Sequence, residues 1–286
     1  MLGEAVYATF SPRCNVLATD IDLNEPWLRQ LDVRDRAAVA KVCDEFKPDY
    51  IVHLAAMTDM EQCEHEFENA YRTNTEAVQF TGEEARARGI PFAYISTAGV
   101  FDGTKDIYLE DDMPNPLSIY GRSKYLGELI ARTVPRHVVV RAGWMMGGGP
   151  KKDKKFIGKL FKQLKEGKTE FYAVKDKLGS PCYTWDLARS LFFLLDGGHS
   201  GVFHGACDGV ASRADVAREL FKALGKKVVL HEVTSDYFKK DYGASRPASE
   251  AFRNTKLKAL NPSLTHEWQE CVHQYVKAYD WQLDDG

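Results

Sequence analysis

The sequence has little of what marks secreted, membrane-spanning or nucleic-acid-binding proteins. Its 286 residues include six cysteines, with no C-x-x-C pair, so neither a disulfide framework nor a clustered zinc site is indicated. No apolar run approaches the roughly 20 residues of a membrane helix, and the N-terminus lacks the pattern of a secretory leader. With 38 Lys and Arg against 41 Asp and Glu, the net charge is −3, which argues against nucleic-acid binding. We expect a cytoplasmic globular protein with no metal, nucleic-acid or membrane partner.

The first half contains a strict alternation of apolar strands and amphipathic helices. Strands are predicted over 15–20, 49–54, 91–96 and 137–141, and helices over 35–46, 66–87 and 118–132. This alternation is typical of a parallel sheet with helices on both faces. The strands are almost continuously apolar, which fits burial on both sides.

The composition changes after the Gly-Gly-Gly-Pro segment at 147–150. The basic segment at 151–155 follows, which we interpret as a solvated loop or, alternatively, a lid that faces phosphate. Further elements are predicted: helices over 156–166, 184–195, 212–224 and 265–279, and strands over 170–174, 201–204 and 227–231. Two domains are therefore predicted, one over 1–149 to which part of 180–210 returns, and a smaller α/β domain over 150–286.

Tyr120 and Lys124 are four residues apart on a predicted helix, so they share one face of it. An ammonium group there would favour the phenolate and lower the pKa of the tyrosine. Such a phenol can protonate a carbonyl oxygen while hydride arrives at its carbon. Among 13 tyrosines, chance gives about one such pair, so the motif alone is weak. An exposed tyrosine beside an unrelated lysine is the alternative.

Polar residues at strand ends supply context, because ligands bind beyond the carboxyl ends of parallel strands. Thr97 ends the strand before the Tyr120 helix, where its hydroxyl would hold the same carbonyl oxygen or simply cap a turn. Asp20 ends another strand and would accept hydrogen bonds from an adenosine ribose, or be solvated. Asp32 and Val33 would touch an adenine ring, although Asp32 would serve equally as the N-cap of a helix starting near residue 34.

Together these residues resemble the dTDP-4-dehydrorhamnose reductase family of the extended short-chain dehydrogenase/reductases. The likeness runs nearly from end to end and is most specific over 114–128. The matching segments are L-D-V at 31–33, V-A-K-V-C-D-E-F-K-P-D-Y at 39–50, A-A-M-T-D-M-E-Q-C-E at 55–64, N-A-Y-R-T-N at 69–74, Y-I-S-T-A-G-V-F-D-G at 94–103, Y-L-E-D-D-M-P-N-P-L-S-I-Y-G-R-S-K-Y-L-G-E at 108–128, R-A-G-W-M-M-G at 141–147, G-S-P-C-Y-T-W-D-L-A at 179–188 and S-R-P at 245–247.

The resemblance implies a reductase that uses NADH or NADPH and acts on a nucleotide-linked 4-keto-6-deoxysugar. It implies a Rossmann-like, doubly wound dinucleotide-binding domain over 1–149 and a substrate domain over 150–286. Thr97, Tyr120 and Lys124 match the catalytic triad of the family. Tyr120 would donate the proton, Lys124 would bind the nicotinamide ribose, and Thr97 would polarise the keto oxygen.

The resemblance also implies residues that bind the cofactor. Besides Tyr120 and Lys124, these are Gly3, Asp20, Asp32, Val33, Ala55, Ala56 and Asn74. The two alanines would leave room for the dinucleotide, or merely pack at a strand end. Asn74 matches a helix asparagine that helps a proton relay in related enzymes, and a helix bend or a surface position is its alternative.

Thr58, Met60, Trp144 and Arg246 align with the family's substrate site. Trp144 would offer an apolar face to the sugar, or pack between domains. Arg246 would pair with the substrate diphosphate through charge-assisted hydrogen bonds, or form a surface salt bridge.

The chain departs from the family pattern in two places. The family usually has S-T-D-Y-V-F-D-G where this chain has Ala98 and Gly99 in place of the Asp and Tyr, so we expect a roomier sugar pocket. The N-terminus matches only the tail of the family's G-x-x-G-x-x-G turn, with Gly3 as its last glycine. Without the opening strand, which is central in the sheet, neighbouring strand edges should be unpaired and fewer N–H groups should face the pyrophosphate. We therefore expect translation to start upstream of Met1.

Two other functions stay open. One is a non-catalytic dinucleotide-binding regulatory subunit, as in the beta subunit of methionine adenosyltransferase, and the other is a nucleotide-sugar epimerase. Dehydration is disfavoured, because Ala98 and Gly99 supply no acid pair after Thr97. Asp20 and Asp22 would repel a 2′-phosphate and favour NADH, whereas Arg29 and Arg34 keep NADPH open. A homodimer is possible.

Overall fold

A computed structural model describes residues 1–240 and 243–282. Its α-helices are α1 (Leu2–Phe10), α2 (Arg36–Phe46), α3 (Met60–His65), α4 (Phe67–Tyr71), α5 (Ala77–Arg88), α6 (Ile119–Ala131), α7 (Gly149–Lys152), α8 (Phe156–Lys165), α9 (Thr184–Asp196), α10 (Arg213–Ala223), α11 (Thr255–Leu260) and α12 (Trp268–Lys277). Its strands are β1 (Ala18–Asp20), β2 (Leu28–Gln30), β3 (Ile51–His53), β4 (Phe92–Thr97), β5 (His137–Ala142), β6 (Trp144–Met146), β7 (Glu170–Val174), β8 (Leu178–Gly179), β9 (Pro181–Tyr183), β10 (Gly201–Gly205), β11 (Ala211–Ser212), β12 (Val229–Val233) and β13 (Ser249–Glu250).

The main sheet consists of four parallel strands in the order β10-β5-β4-β3. Successive residues of β5 point to opposite faces: Val138 and Val140 pack into the core shared with α1 and α9, whereas Val139 packs into the core shared with α5 and α6. Both faces of the sheet are therefore covered by helices. This arrangement confirms the predicted Rossmann-like α/β fold.

The sheet is interrupted between β1 and β3. β1 and β2 form a separate parallel pair, with Ala18 opposite Leu28. Across 1–240 and 243–282, no ladder of hydrogen bonds joins β1 to β3. Within these residues, β3 is therefore an edge strand of the main sheet.

The second half has its own hydrophobic core, formed by α8, α10 and α12 with the β7–β12 pair. The stacked rings of Phe161 and Trp281, with centroids 3.4 Å apart, contribute to this core. Residues between 182 and 206 and between 252 and 264 pack instead into the first core, and β10 joins the main sheet beside β5. The division at residue 149 stays a prediction. No helix within the described residues is both long enough and apolar enough to span a bilayer.

Two local predictions are wrong. The predicted continuous helix over 66–87 is divided by a π-helical turn, Arg72–Glu76, because buried Asn74 uses its side chain to bind a neighbouring loop. Asp32 does not cap α2: the N-cap is Asp35, whose carboxylate accepts a hydrogen bond from the Ala38 N–H at 3.0 Å. Asp32 instead forms an ion pair with Arg34, at 2.7 Å.

Candidate active site

The structure brings Thr97 and Tyr120 together at the carboxyl edge of the main sheet. Thr97 ends β4, and its Oγ1 accepts a hydrogen bond from the Gly99 N–H at 3.1 Å. The side chain of Thr97 also lies near the phenol of Tyr120 and acts to lower the pKa of that phenol. Thr97 thus caps the turn at Ala98–Val100, which is the second of the two roles predicted for it. It also lies beside the predicted proton donor.

A glycine allows the close approach of α6 to this turn. A Cβ on Gly121 would lie 2.3 Å from the carbonyl oxygen of Gly99 and 2.9 Å from Cβ of Pro116. The helix begins just before it, where the side chain of Ser118 accepts a hydrogen bond from the Gly121 N–H at 3.1 Å. Tyr120, in the first turn of α6, is therefore held directly against the end of β4.

Burial dominates the acidity of Tyr120. It raises the pKa of the phenol to about 12, with the charge of Glu250 acting in the same direction and the nearby side chain of Thr97 acting against it. The predicted lowering of this pKa by Lys124 is wrong, because desolvation of the phenolate outweighs every favourable contact. A phenol with this pKa keeps its proton at neutral pH, as a proton donor must.

Lys124 is also buried, on the face of α6 that packs against β4. Burial lowers its pKa to about 7, and the charge of Glu128 partly offsets this effect. The ammonium nitrogen lies 4.2 Å from the ring centroid of Tyr94, whose hydroxyl donates a hydrogen bond to the Lys124 carbonyl at 3.1 Å. The lysine is thus positioned by a cation–π contact.

Asn74, at the centre of the π-helical turn, positions the loop that follows β3. Its Oδ1 accepts a hydrogen bond from the Met57 N–H at 2.8 Å, and its Nδ2 donates to the Met57 carbonyl and to Ser123 Oγ, both at 3.0 Å. The loop contains Ala55, Ala56 and Thr58. Asn74 therefore acts here as a clamp, and its role toward a cofactor stays a prediction.

The predicted adenosine-binding residues lie at the ends of β1 and β2. Asp20 is exposed and accepts a hydrogen bond from the Asp22 N–H at 3.1 Å. Asp32 and its neighbour Val33 follow β2, where Arg34 pairs with Asp32 and donates to Asn69 at 2.9 Å.

Gly3 lies in the first turn of α1, and a Cβ built on it meets no atom within 4 Å. A dinucleotide could approach the backbone there without meeting a side chain. The structure thus leaves Gly3 accessible.

Two basic residues meet the segment around α3. Lys155 donates to Thr58 Oγ1 at 2.8 Å, so the basic segment at 151–155 reaches the predicted sugar pocket rather than lying wholly in solvent. Arg246 forms an ion pair with Glu61 at 2.7 Å, next to Met60. A salt bridge is one of the two roles predicted for this arginine. The structure therefore places two cations beside the predicted substrate site.

Glu250 is a site residue that the sequence analysis missed. The indole N–H of Trp144 donates to its Oε2 at 2.6 Å, and its Oε1 would lie 3.5 Å from a Cβ on Gly99. It follows the S-R-P segment closely, but nothing in its spacing marks it as close to Tyr120.

One group of residues has the chemistry of metal ligands. Ligand atoms of Asp186, Cys207 and Cys271 lie within 4.8 Å of one another, all buried, and the Cys271 thiol donates to Asp186 at 3.4 Å. Burial raises the pKa of Cys207 well above its usual value, which favours the thiol over the metal-binding thiolate. The residues are far apart in the sequence, so spacing did not reveal the group, whose two cysteines belong to the core of the second half.

Comparisons with known proteins bear on this site. A family model described as the RmlD substrate binding domain matches residues 1–281. A dTDP-4-dehydrorhamnose reductase of Sinorhizobium fredii is 30% identical over 260 residues, which span 86% of each chain. A crystal structure of a dTDP-4-dehydrorhamnose reductase ortholog from Clostridium acetobutylicum is similar with a TM-score of 0.86 and 29% identity, covering 97% of this chain and 95% of that one. A dTDP-4-dehydrorhamnose reductase from Bacillus anthracis, in complex with NADP, has a TM-score of 0.81 and 27% identity, covering 88% and 90%.

Proposed function

Because the chain belongs to the dTDP-4-dehydrorhamnose reductase family, as its sequence resemblance predicts, we propose that it reduces a nucleotide-linked 4-keto-6-deoxysugar with NADH or NADPH. In the named reaction of the family, dTDP-4-dehydrorhamnose becomes dTDP-rhamnose. The observation that best supports the proposal is the close packing of the start of α6, which carries Tyr120, against the turn after Thr97, with Lys124 buried one helical turn away.

The carboxyl edge of the sheet fits a dinucleotide. The small side chains of Ala55 and Ala56 follow β3, Asp20 presents an exposed carboxylate for a ribose, and the backbone at Gly3 is open. When bound, the nicotinamide supplies the hydride. Arg34, which could otherwise bind a 2′-phosphate, forms an ion pair with Asp32. The carboxylate of Asp20 would repel a 2′-phosphate, so NADH would be favoured over NADPH.

Side chains of the protein would carry out the proton transfer. Tyr120 is protonated at neutral pH and would give its proton to the keto oxygen as the hydride arrives. Thr97 would donate a hydrogen bond to the same oxygen. The ammonium of Lys124 would bind the nicotinamide ribose and stabilise the phenolate left after the transfer.

Residues from both halves of the chain would hold the nucleotide sugar. Trp144 presents an aromatic ring whose orientation is fixed by Glu250, and Arg246 would exchange its contact with Glu61 for the substrate diphosphate. Thr58 and Met60 would line the same pocket, close to Lys155.

The test is a cofactor and substrate panel. Oxidation of NADH and of NADPH is followed optically with several nucleotide 4-ketosugars, and the product is identified by mass spectrometry and NMR. Turnover of a 4-ketosugar to the corresponding alcohol is the expected result. The proposal would be overturned if the protein binds the dinucleotide but oxidises neither NADH nor NADPH with any of the ketosugars.

A regulatory subunit is the second candidate, because Ala98 and Gly99 remove the two polar side chains that the family usually has after Thr97. Co-purification from native lysate of a stoichiometric partner enzyme, combined with no turnover, would favour it. We keep the homodimer and the cytoplasmic location as predictions, and sedimentation analysis and cell fractionation test them.

A further inference from the structure

We propose that Glu250 determines substrate specificity at this site by accepting a hydrogen bond from a sugar hydroxyl next to the reacting carbon. The inference rests on the proposed function and deepens it. The Glu250 carboxylate borders the space that a side chain at position 99 would fill, and Gly99 leaves this space open. The preferred substrate is then a ketosugar with a free hydroxyl beside its keto group.

The position of Glu250 supports this assignment. A Cβ on Gly99 would lie 3.4 Å from Thr97 Oγ1 and 3.5 Å from Glu250 Oε1. The hydroxyl and the carboxylate thus converge on one point, from the first and the second half of the chain. Because both distances are ordinary contacts, alanine fits at position 99, whereas a longer side chain would compete with Glu250 for this space.

The carboxylate is held in place by its surroundings. Oε2 accepts the indole N–H of Trp144 at 2.6 Å, and the indole is itself confined: Arg213 lies 3.8 Å from a ring centroid, and a Cβ on Gly179 would come within 2.2 Å of the ring. Glu250 also ends β13, which pairs with β8. A carboxylate fixed in this way is a preorganised acceptor.

Its second oxygen is the one that faces the site. The Trp144 indole donates its hydrogen bond to Oε2, whereas Oε1 is directed toward position 99. An ionised carboxylate accepts hydrogen bonds and does not donate them, so it selects a hydroxyl. It repels phosphate, which fits a place beside the sugar rather than the diphosphate.

The location next to Tyr120 identifies which hydroxyl is meant. The charge of Glu250 raises the pKa of the Tyr120 phenol, so the two groups interact across the reaction site. If Tyr120 and Thr97 hold the keto oxygen, the carboxylate lies within reach of a neighbouring ring position. We therefore assign the hydrogen bond to the hydroxyl on the carbon adjacent to the keto carbon.

The experiment compares two stable ligands by calorimetry with the full chain: dTDP-rhamnose and its 3-deoxy analogue. Glu250→Gln should weaken binding of the 3-hydroxy ligand about 10-fold or more, the usual scale for a hydrogen bond to a charged group, and should leave the 3-deoxy ligand unaffected. Glu166→Gln, at an exposed helix end, is the matched control. An equal effect on both ligands, no effect, or failure of the wild type to bind either one would overturn the proposal.

A second set of variants tests the shared space. Gly99→Tyr should bind both ligands at least 10-fold more weakly, because its ring collides with Glu250. Combining Gly99→Tyr with Glu250→Ala should recover binding of the 3-deoxy ligand. If the double variant is no better than Gly99→Tyr, while circular dichroism shows that both are folded, the two positions do not share the space and the proposal is wrong.

These measurements are independent of turnover. An absence of NADH or NADPH oxidation by the wild type would overturn the proposed reductase activity and leave the difference between the two ligands intact. Conversely, an active wild type whose discrimination does not depend on Glu250 would overturn only the specificity assignment.

Discussion

Arg141 and Glu128 form a two-pronged ion pair that is almost completely shielded from solvent. Nη2 of Arg141 lies 2.7 Å from Oε1 of Glu128 and Nε lies 3.1 Å from Oε2, with exposed side-chain fractions of 2% and 0%. Ser96 also donates to Glu128, at 2.9 Å. The pair ties β5 and β4 to α6, the helix that carries Tyr120 and Lys124.

Replacing Arg141 while Glu128 is kept should therefore destabilise the protein. We expect Arg141→Met to lower the free energy of unfolding by about 3–5 kcal/mol, since it leaves the carboxylate of Glu128 buried and unpaired. Arg141→Met combined with Glu128→Leu should regain much of the loss. Urea unfolding of both variants gives the comparison, and a double variant as unstable as the single one would show that charge burial is not the cause.

Tyr120→Phe should reduce turnover by roughly 10²–10⁴-fold, because it removes the proton donor without changing the shape of the ring. Binding of NADH, followed by fluorescence, should be retained. Tyr125→Phe, on the same helix, is the matched control and should keep its activity. Comparable turnover by the two variants would contradict the role of Tyr120.

Lys124 should make stability depend on pH. Burial lowers its pKa to about 7, whereas a lysine of the unfolded chain keeps its proton to roughly pH 10. Between these two pH values the unfolded state binds more protons than the folded state. The free energy of unfolding therefore increases as the pH rises through this range. Its cost to stability is present in full below about pH 7 and is lost toward roughly pH 10.

The measurement compares wild type with Lys124→Met at several pH values. The variant should be the more stable protein at pH 7 and below, because it buries no charge, and the difference should shrink as the pH increases. Lys168→Met, on an exposed side chain, controls for general charge effects. A constant difference across the range would show that Lys124 does not titrate in this window.

Gly121→Ala should disrupt the site, because its Cβ would lie 2.3 Å from the backbone oxygen of Gly99. We expect a loss of activity of at least 10-fold and a lower melting temperature. Gly82→Ala is the control: its Cβ would meet side-chain atoms only at 3.5 Å and 3.8 Å, and alanine favours helix over glycine by about 1 kcal/mol. Equal behaviour of the two variants would argue against the tight contact.

The regular elements could be predicted because their determinants are local. The apolar runs that form β4 and β5 and the periodicity of α6 each specify their own structure. The π-helical turn could not be predicted, since it depends on a hydrogen bond between Asn74 and Met57, which lie on different elements. The start of α2 also differs from the prediction, because its N-cap is Asp35 and not Asp32.

The candidate site was predicted less completely than the fold. The position of Thr97 at the end of the strand before the Tyr120 helix predicts that the two side chains meet, and in the structure Thr97 is near enough to act on the pKa of the Tyr120 phenol. The sign of the pKa shift of Tyr120 was wrong, because the depth of burial cannot be read from a four-residue spacing. Glu250 was missed, since its proximity to Gly99 arises only when the two halves pack together.

The clamp formed by Asn74 has a consequence for variation in this protein. Asn74 bonds both polar groups of the Met57 backbone and no atom of its side chain. The shape of the loop after β3 is therefore encoded outside the loop, and position 57 can change identity freely so long as its N–H survives. Proline is the one replacement that would release it.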